Sequence, residues 1–229
     1  MTFSIVAFDV KTGQFASSVC SSSPAVGARC AFGRAGVGAV TSQNVTDPRL
    51  GPKVLDLLAA GQSASQAVDA ITKDLKFKEF RQVTAVDMEG NTAIFSGPNT
   101  LGISAQAQTH NVCSAGNLLA NSGVPQAIVD SFSNAPISVP LGQRVISAMQ
   151  AGLKAGGEAG QVRSAGLYLV DEQSWPLADL RVDWTEDSEL GPIDKLQQLW
   201  DVYSPQMDDY VTRCLNPTSA PSYGVPGDE

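Results

Sequence analysis

The chain has 229 residues, a single histidine and a net charge of −8, with 43% hydrophobic and 17% charged residues. That length encloses a full core without disulfide or metal staples, and an acidic chain with no basic run among aromatics excludes a nucleic-acid partner. No apolar run is long enough to span a bilayer and no charged-then-apolar leader opens the chain, so a cytoplasmic location with no membrane partner is expected.

An apolar, β-favouring run begins at Thr2 and reaches Phe8, with Phe3, Ile5 and Ala7 on one side. Chain ends fray unless something ties them down, so a strand this early predicts an N-terminus buried in a sheet. The turn signal at Lys11-Thr12-Gly13 leads into Phe15–Ser21 and predicts a hairpin. Ser21-Ser22-Ser23-Pro24 is a loop. Residues 33–42 look like one small-residue strand, where glycine marks a close approach by another backbone or a ligand. Asp47-Pro48 reads as a helix start, with Asp as N-cap and Pro at N1. The stripe Leu50, Val54, Leu57, Leu58 then runs to Gly61. Ser63-Ala64-Ser65-Gln66 is a capping box that opens a second amphipathic helix.

Residues 81–87 and 92–96 flank Met88–Asn91 as a second hairpin, and residues 102–115 hold strand-like stretches. Val124–Phe132 and the stripe Leu141, Val145, Met149, Leu153 are helical, the latter ending near Gly156-Gly157. Residues 164–170 and 177–184 are late strands. Pro192 opens a last helix through Ile193, Leu196, Trp200 and Tyr203. Strand pairs and helix pairs come in blocks, which predicts an α+β fold with mostly antiparallel sheets. Two such sheets between two helical layers, a four-layer αββα sandwich, would use every amphipathic face. One domain is expected over residues 1–203, followed by a Pro-rich tail or arm over 204–229.

Most standard chemistries are absent from the pattern. His110 is the only histidine, and no G-x-S-x-G elbow is present. No H-x-x-x-H, C-x-x-C or EF-hand spacing suggests a metal. Gly33, Gly36 and Gly38 stand in the wrong order for a dinucleotide fingerprint and lack a P-loop lysine. No cofactor is therefore expected. Cys20, Cys30, Cys113 and Cys214 read as reduced, mostly buried thiols. What remains is the N-terminus. If Met1 is removed, Thr2 carries a hydroxyl beside a free α-amine, whose ordinary pKa of about 7.7–8.0 suits a general base.

Several motifs, in order, resemble a bacterial and archaeal family known as domain of unknown function 1028. They are Thr2–Ala7, Thr12-Gly13, Arg34–Val40 followed by Gln43, Leu57–Gly61, Gly116–Ala120, the Gly156–Ser164 stretch and Asp179–Asp183. That family is grouped with the N-terminal-nucleophile (Ntn) hydrolases, and the likeness covers roughly residues 2–203. It implies the αββα sandwich and places Thr2 where those enzymes carry their nucleophile. By the same resemblance Gly116 and Asn117 are the candidate oxyanion group. Arg34 is a candidate carboxylate holder, and Gln43 and Asn44 are candidate pocket residues. The partner so implied is a small amide or peptide-like molecule. The Ser21-Ser22-Ser23 loop departs from the bulkier family residues, which bears on pocket shape.

Each candidate also has a plain structural role. Thr2 is a good strand former, Asn117 follows a glycine as turn residues do, and Arg34 fits a solvated surface. Gln43 and Asn44 lie just before a helix start. With Met1 retained, Thr2 has no free amine and is an ordinary strand end. A non-catalytic small-molecule binding or assembly protein on the same sandwich is the alternative, and a site around Glu158, Arg163 or His110 is a third. The last helix, with Trp200 and Tyr203, is expected to offer an apolar patch for homo-oligomers.

Overall fold

In the computed structural model, which describes residues 1–187 and 189–227, β1 (Thr2–Phe8) and β2 (Phe15–Ser21) form the expected antiparallel hairpin. Both are buried along almost their whole length. A four-residue helix α1 (Gly27–Cys30) then leads to β3 (Ala31–Arg34) and β4 (Gly38–Asn44). These two replace the single strand expected over 33–42. Gly36 takes φ +65°, and the left-handed turn it permits folds the segment back on itself as a second hairpin.

Helix α2 (Leu50–Ala59) starts at Leu50, not at Asp47-Pro48. Asp47 instead accepts the Arg49 backbone N–H at 3.1 Å and the Arg49 guanidinium at 2.8 Å, an Asx turn that precedes the helix. Ser63 and Gln66 make the capping box of α3 (Ala64–Lys73) as expected. Strands β5 (Arg81–Asp87) and β6 (Thr92–Ser96) pair as a hairpin, as do β7 (Ala105–Thr109) and β8 (Val112–Asn117). Helices α4 (Val124–Asn134) and α5 (Leu141–Lys154) follow, then β9 (Ser164–Val170), β10 (Ala178–Val182) and α6 (Pro192–Tyr203). Beyond Ser204, where a Pro-rich arm was expected, α7 (Met207–Leu215) packs Met207 and Val211 against the core.

Among the described residues the strands make two antiparallel sheets. One has the order β10-β9-β2-β1-β8-β7 and the other β3-β4-β5-β6. On one side of the first sheet Phe3, Ile5 and Ala7 pack with Ile128, Phe132, Val145 and Met149 of α4 and α5. Val40, Val83 and Ala85 of the second sheet pack with Leu50, Val54 and Val68 of α2 and α3. The remaining two faces meet each other, so the fold is the four-layer αββα sandwich. Helix α6, expected as the last, turns its aromatics inward. Trp200 is buried over Gly142, where a Cβ would lie 2.4 Å from the indole ring, and Tyr203 donates to Leu177 O at 3.0 Å. Neither forms the outward patch expected of them.

The layer between the sheets changes character along its length. At one end it is apolar, built by Val6, Phe15, Ala39, Val86, Cys113 and Val170. Toward the chain's start it is hydroxyls and amides. Ser4 meets Thr41 at 3.2 Å and Thr41 meets Thr84 at 2.6 Å. This follows from the two-residue period of β1, which points Thr2, Ser4, Val6 and Phe8 at the second sheet in turn. Buried polar groups are tolerated only when hydrogen-bonded, so the polar end must be a connected network.

Candidate active site at the polar end of the sandwich

Thr2 is the first residue of β1 and only 5% exposed. Antiparallel register sets Asn117, the last residue of β8, opposite it, and the hairpin brings Ser21 to its other side. The hydroxyls of Thr2 and Ser21 both donate to the Met1 carbonyl. Thr2 Oγ1 lies 3.4 Å from Ser21 Oγ, and the Ser23 N–H donates to Ser21 Oγ at 3.0 Å.

Beneath these hydroxyls lie three fully buried amides. Gln43 Nε2 donates to Gln82 Oε1 at 2.7 Å and to Ala115 O at 3.0 Å. Asn117 Nδ2 donates to the same Gln82 oxygen at 3.1 Å, and Gln82 Nε2 donates to Gly116 O at 3.2 Å. Two carbonyl oxygens, Asn117 Oδ1 and Gln43 Oε1, have no partner among the described residues although both are buried. A buried acceptor left so costs about 1–3 kcal/mol, and such groups concentrate where a protein handles a ligand or a water.

Glu158 closes the site. After α5 the chain turns at Gly156 and Gly157, with φ +130° and +58°, and Glu158 bridges to Leu119 just past β8. Both of its oxygens accept the Ser22 N–H, at 3.2 and 3.1 Å. Burial pushes its pKa from an ordinary 4.5 to about 7, against the pull of the amino group at Met1 and of Ser22. Burial, and after it the Glu158 charge, also raises the neighbouring Cys20 thiol. Leu118, between Asn117 and Leu119, has φ +50°. A non-glycine residue held there stores strain of about 1–3 kcal/mol, a feature that clusters at working sites.

Of the candidates read from the sequence, Thr2, Gly116, Asn117 and Gln43 come together here. Gly116 lies in the ladders of β8, and a Cβ on it would strike Leu119 at 2.6 Å. Asn44 is at the rim in a left-handed conformation, φ +73°. It donates to Phe80 O at 2.6 Å and accepts the Leu101 N–H at 3.2 Å. Arg34 is not brought to the site. It pairs with Gly38 at the far end of β4, about 17 Å of strand from Gln43. There it holds Asp56 at 2.8 Å with its side chain 41% exposed, because the turn at Gly36 separates it from the rest of its segment. His110 lies in the β7–β8 turn, at the other end of β8 from Asn117. Glu158 is the converse case, expected only as part of a separate site yet placed beside Met1. Arg163 lies just outside it, its N–H donating to Ser21 O at 2.8 Å and its guanidinium 5.8 Å from the Trp184 ring.

Among the described residues no group of three or more His, Cys, Asp or Glu side chains is placed to hold a metal, and no helix is long and apolar enough to cross a membrane. The fold and site thus define a class, an αββα sandwich that buries its own first strand residues in a polar layer between the sheets. The chain belongs to the family of unknown function DUF1028, whose model matches residues 2–193. It is similar to the crystal structure of protein SPO2555 from Silicibacter pomeroyi, of the same family, at 27% identity and TM-score 0.80 over 89% of each chain. A fainter likeness is to Anbu (ancestral beta-subunit) from Yersinia bercovieri, at 11% identity and TM-score 0.39, over 91% of this chain and 96% of that one. No curated protein matches the chain.

Proposed function

We propose that this protein is an Ntn-type amidohydrolase that cleaves a small amide or peptide-like bond, with Thr2 as nucleophile once Met1 is removed. The Thr2 α-amine takes the hydroxyl proton while Oγ1 attacks the carbonyl carbon. The C–N bond breaks, the proton passes to the departing amine, and an ester remains on Thr2. Water cleaves that ester, releasing a carboxylic acid and restoring the hydroxyl. Asn117, whose Nδ2 keeps a second N–H beyond the one given to Gln82, stabilises the oxyanion, and Gly116, whose backbone is held in the strand ladders on both sides, positions it. Gln43 acts through Gln82, fixing the amide that fixes Asn117. Asn44 shapes the rim. Arg34 has no part. No cofactor is needed.

The observation that carries this reading is the setting of Thr2: its hydroxyl already bonds an acyl carbonyl, that of Met1, with Asn117 across the ladder. The resemblance of the N-terminal motifs to Ntn hydrolases and the αββα layers support it too. The test starts with mass spectrometry of the native protein, which should find a chain beginning at Thr2. That protein is then screened on amide substrates beside Thr2→Ala. Loss of turnover in the variant is expected; an unchanged rate would sink the assignment. The second reading, a non-catalytic binding or assembly protein, is favoured by the burial of Thr2 while Met1 is present. A native chain that keeps Met1 decides for it.

A further inference from the structure

The end of the sandwich away from Thr2 holds a cavity of about 400 Å³. The turn after β1, the turn between β7 and β8, the end of α4 and the start of α5 enclose it. Its size falls in the range of small-molecule sites, about 300–1,000 Å³. Val10, Val112, Phe132 and Ile137 make its walls largely apolar. Val10 and Ile137 are 67% and 52% exposed, so the cavity opens to solvent. His110 also lines it, with its ring against Gly90, where a Cβ would come within 2.7 Å of the imidazole.

Buried in the lining is the Asp9–Arg144 pair, with the arginine side chain 6% exposed. Both oxygens of Asp9 have donors, the Lys11 N–H at 2.9 Å for one and the Arg144 guanidinium for the other. Arg144 is less well supplied. A guanidinium carries five N–H groups. Among the described residues one of them meets an acceptor, at Asp9, and Nε is buried with no partner. The Phe132 ring, 5.0 Å from the guanidinium carbon, covers a face and accepts no in-plane N–H. Buried charges are tolerated when paired and hydrogen-bonded, so what this arrangement lacks is acceptors.

We propose that this cavity is a binding site for a small monocarboxylate with a compact apolar body. The carboxylate takes N–H groups of Arg144 that Asp9 leaves free, and the body lies among Val10, Val112 and Ile137. Bonds between an arginine and a carboxylate are charge-assisted and about twice as strong as neutral ones, which favours an acid over an uncharged ligand of the same shape. Arg144 and His110 are the only lining residues, among those described, able to carry positive charge. Asp9 already takes part of the first, so a dianion is poorly matched and a single carboxylate fits. The site is separate from Thr2, at the other end of β1, and does not rest on the hydrolase reading.

The experiment titrates the full chain, Met1 retained, with benzoate and hexanoate, each beside its primary amide. Binding is followed by calorimetry and by the NMR signals of the backbone amides and of Arg144 Nε–H. The acids should bind, and their uncharged amides about 10-fold more weakly or worse. The signals that move should be those of Asp9, Asn111 and Arg144. Arg144→Lys keeps a charge for Asp9 but gives up the planar fork, and should weaken benzoate about 10-fold while leaving benzamide as it was. Ala135→Phe leaves the pair intact and fills the cavity from its lining. It should abolish binding of acid and amide alike, and it keeps the test decisive if Arg144→Lys folds poorly. Four results would each overturn the proposal: acid and amide bound equally well, neither acid bound at millimolar concentration, signals that move at Thr2 and Asn117 instead, or full benzoate binding by Ala135→Phe.

Discussion

Asn117 stands opposite Thr2 on the last rung of the β1–β8 ladder. The pairing puts a carboxamide beside a hydroxyl at the one place where the layer between the sheets is polar and reaches the chain's start. Asn117 is held there by a single side-chain bond to Gln82, and Gln82 is held in turn by Gln43. The network is anchored from the second sheet, so the relative position of the two sheets sets the position of Asn117 against Thr2.

Asn117→Ala therefore tests chemistry more than stability. Gln82 Oε1 keeps its bond from Gln43 Nε2, so only about 1 kcal/mol of stability should be lost, read from the urea midpoint. In the chain beginning at Thr2, kcat should fall about 100- to 1000-fold, the usual loss for one oxyanion donor, with KM nearly constant. A KM effect at unchanged kcat would place Asn117 in substrate binding instead.

The opposite end of the sandwich carries a different buried polar pair. Arg144 of α5 donates to Asp9, with only 6% and 2% of the two side chains exposed, and stacks over Phe132 with 5.0 Å to the ring. Arg144→Met strands a buried carboxylate and should cost about 3–5 kcal/mol, whereas Arg144→Met combined with Asp9→Asn should recover part of that loss. Denaturant midpoints for the two single variants and the double give the coupling directly.

How much of this was legible follows from the kind of signal each feature leaves. The β1–β2 and β5–β6 hairpins and helices α2 to α6 were readable because two- and 3.6-residue periods and a capping box are local. The split of residues 33–42 into β3 and β4 was not, since Gly36 among other glycines does not announce which one turns. Thr2 and Ser21 could have been paired from the hairpin register alone, because Phe8 opposite Phe15 fixes every earlier rung. Asn117 came from resemblance, and Gln82 was missed because a glutamine alternating with Val83 in a strand looks solvent-facing until a second sheet covers it. Glu158 was misassigned because the chain start is 157 residues away, and the two meet only through the fold, where Ser22 bonds Glu158 and its neighbour Ser21 bonds Met1 O. Arg34 failed for the same reason in reverse: nearness in sequence to Gln43 became distance along β4. Helix α7 was hidden by the prolines that follow it.

The α5–α6 contact rests on a glycine. Trp200 lies so close to Gly142 that a Cβ there would come within 2.4 Å of its ring. Gly142→Ala must displace the indole, at a cost of about 1–3 kcal/mol for overpacking. A chain of this size loses about 2–4 °C in Tm per kcal/mol, so a fall of several degrees is expected by calorimetry. The Trp200 fluorescence should shift red as the ring moves toward solvent. A Tm unchanged within 1 °C would show that α6 is free to shift at this contact.

Glu158 makes stability depend on pH in a direction opposite to most carboxylates. Its pKa in the fold is about 7 against an ordinary 4.5, so between those values the folded chain holds a proton that the unfolded chain has released. Stability attributable to this group is then fully present below about pH 4.5 and is lost as pH rises through about 7. The loss is bounded at about 3 kcal/mol, from the span between the two values. The charges facing it are the amino group at Met1, which opposes the shift, and the Cys20 thiol, which stays neutral because its own pKa is raised. Glu158→Gln keeps an acceptor for the Ser22 N–H but cannot ionise. In the chain that retains Met1, thermal scans from pH 4.5 to 8 should therefore show the wild type falling relative to the variant, with the variant the more stable of the two at pH 8. If the two curves run parallel across that interval, the carboxylate is already charged and paired throughout it, and the amino group rather than burial governs Glu158.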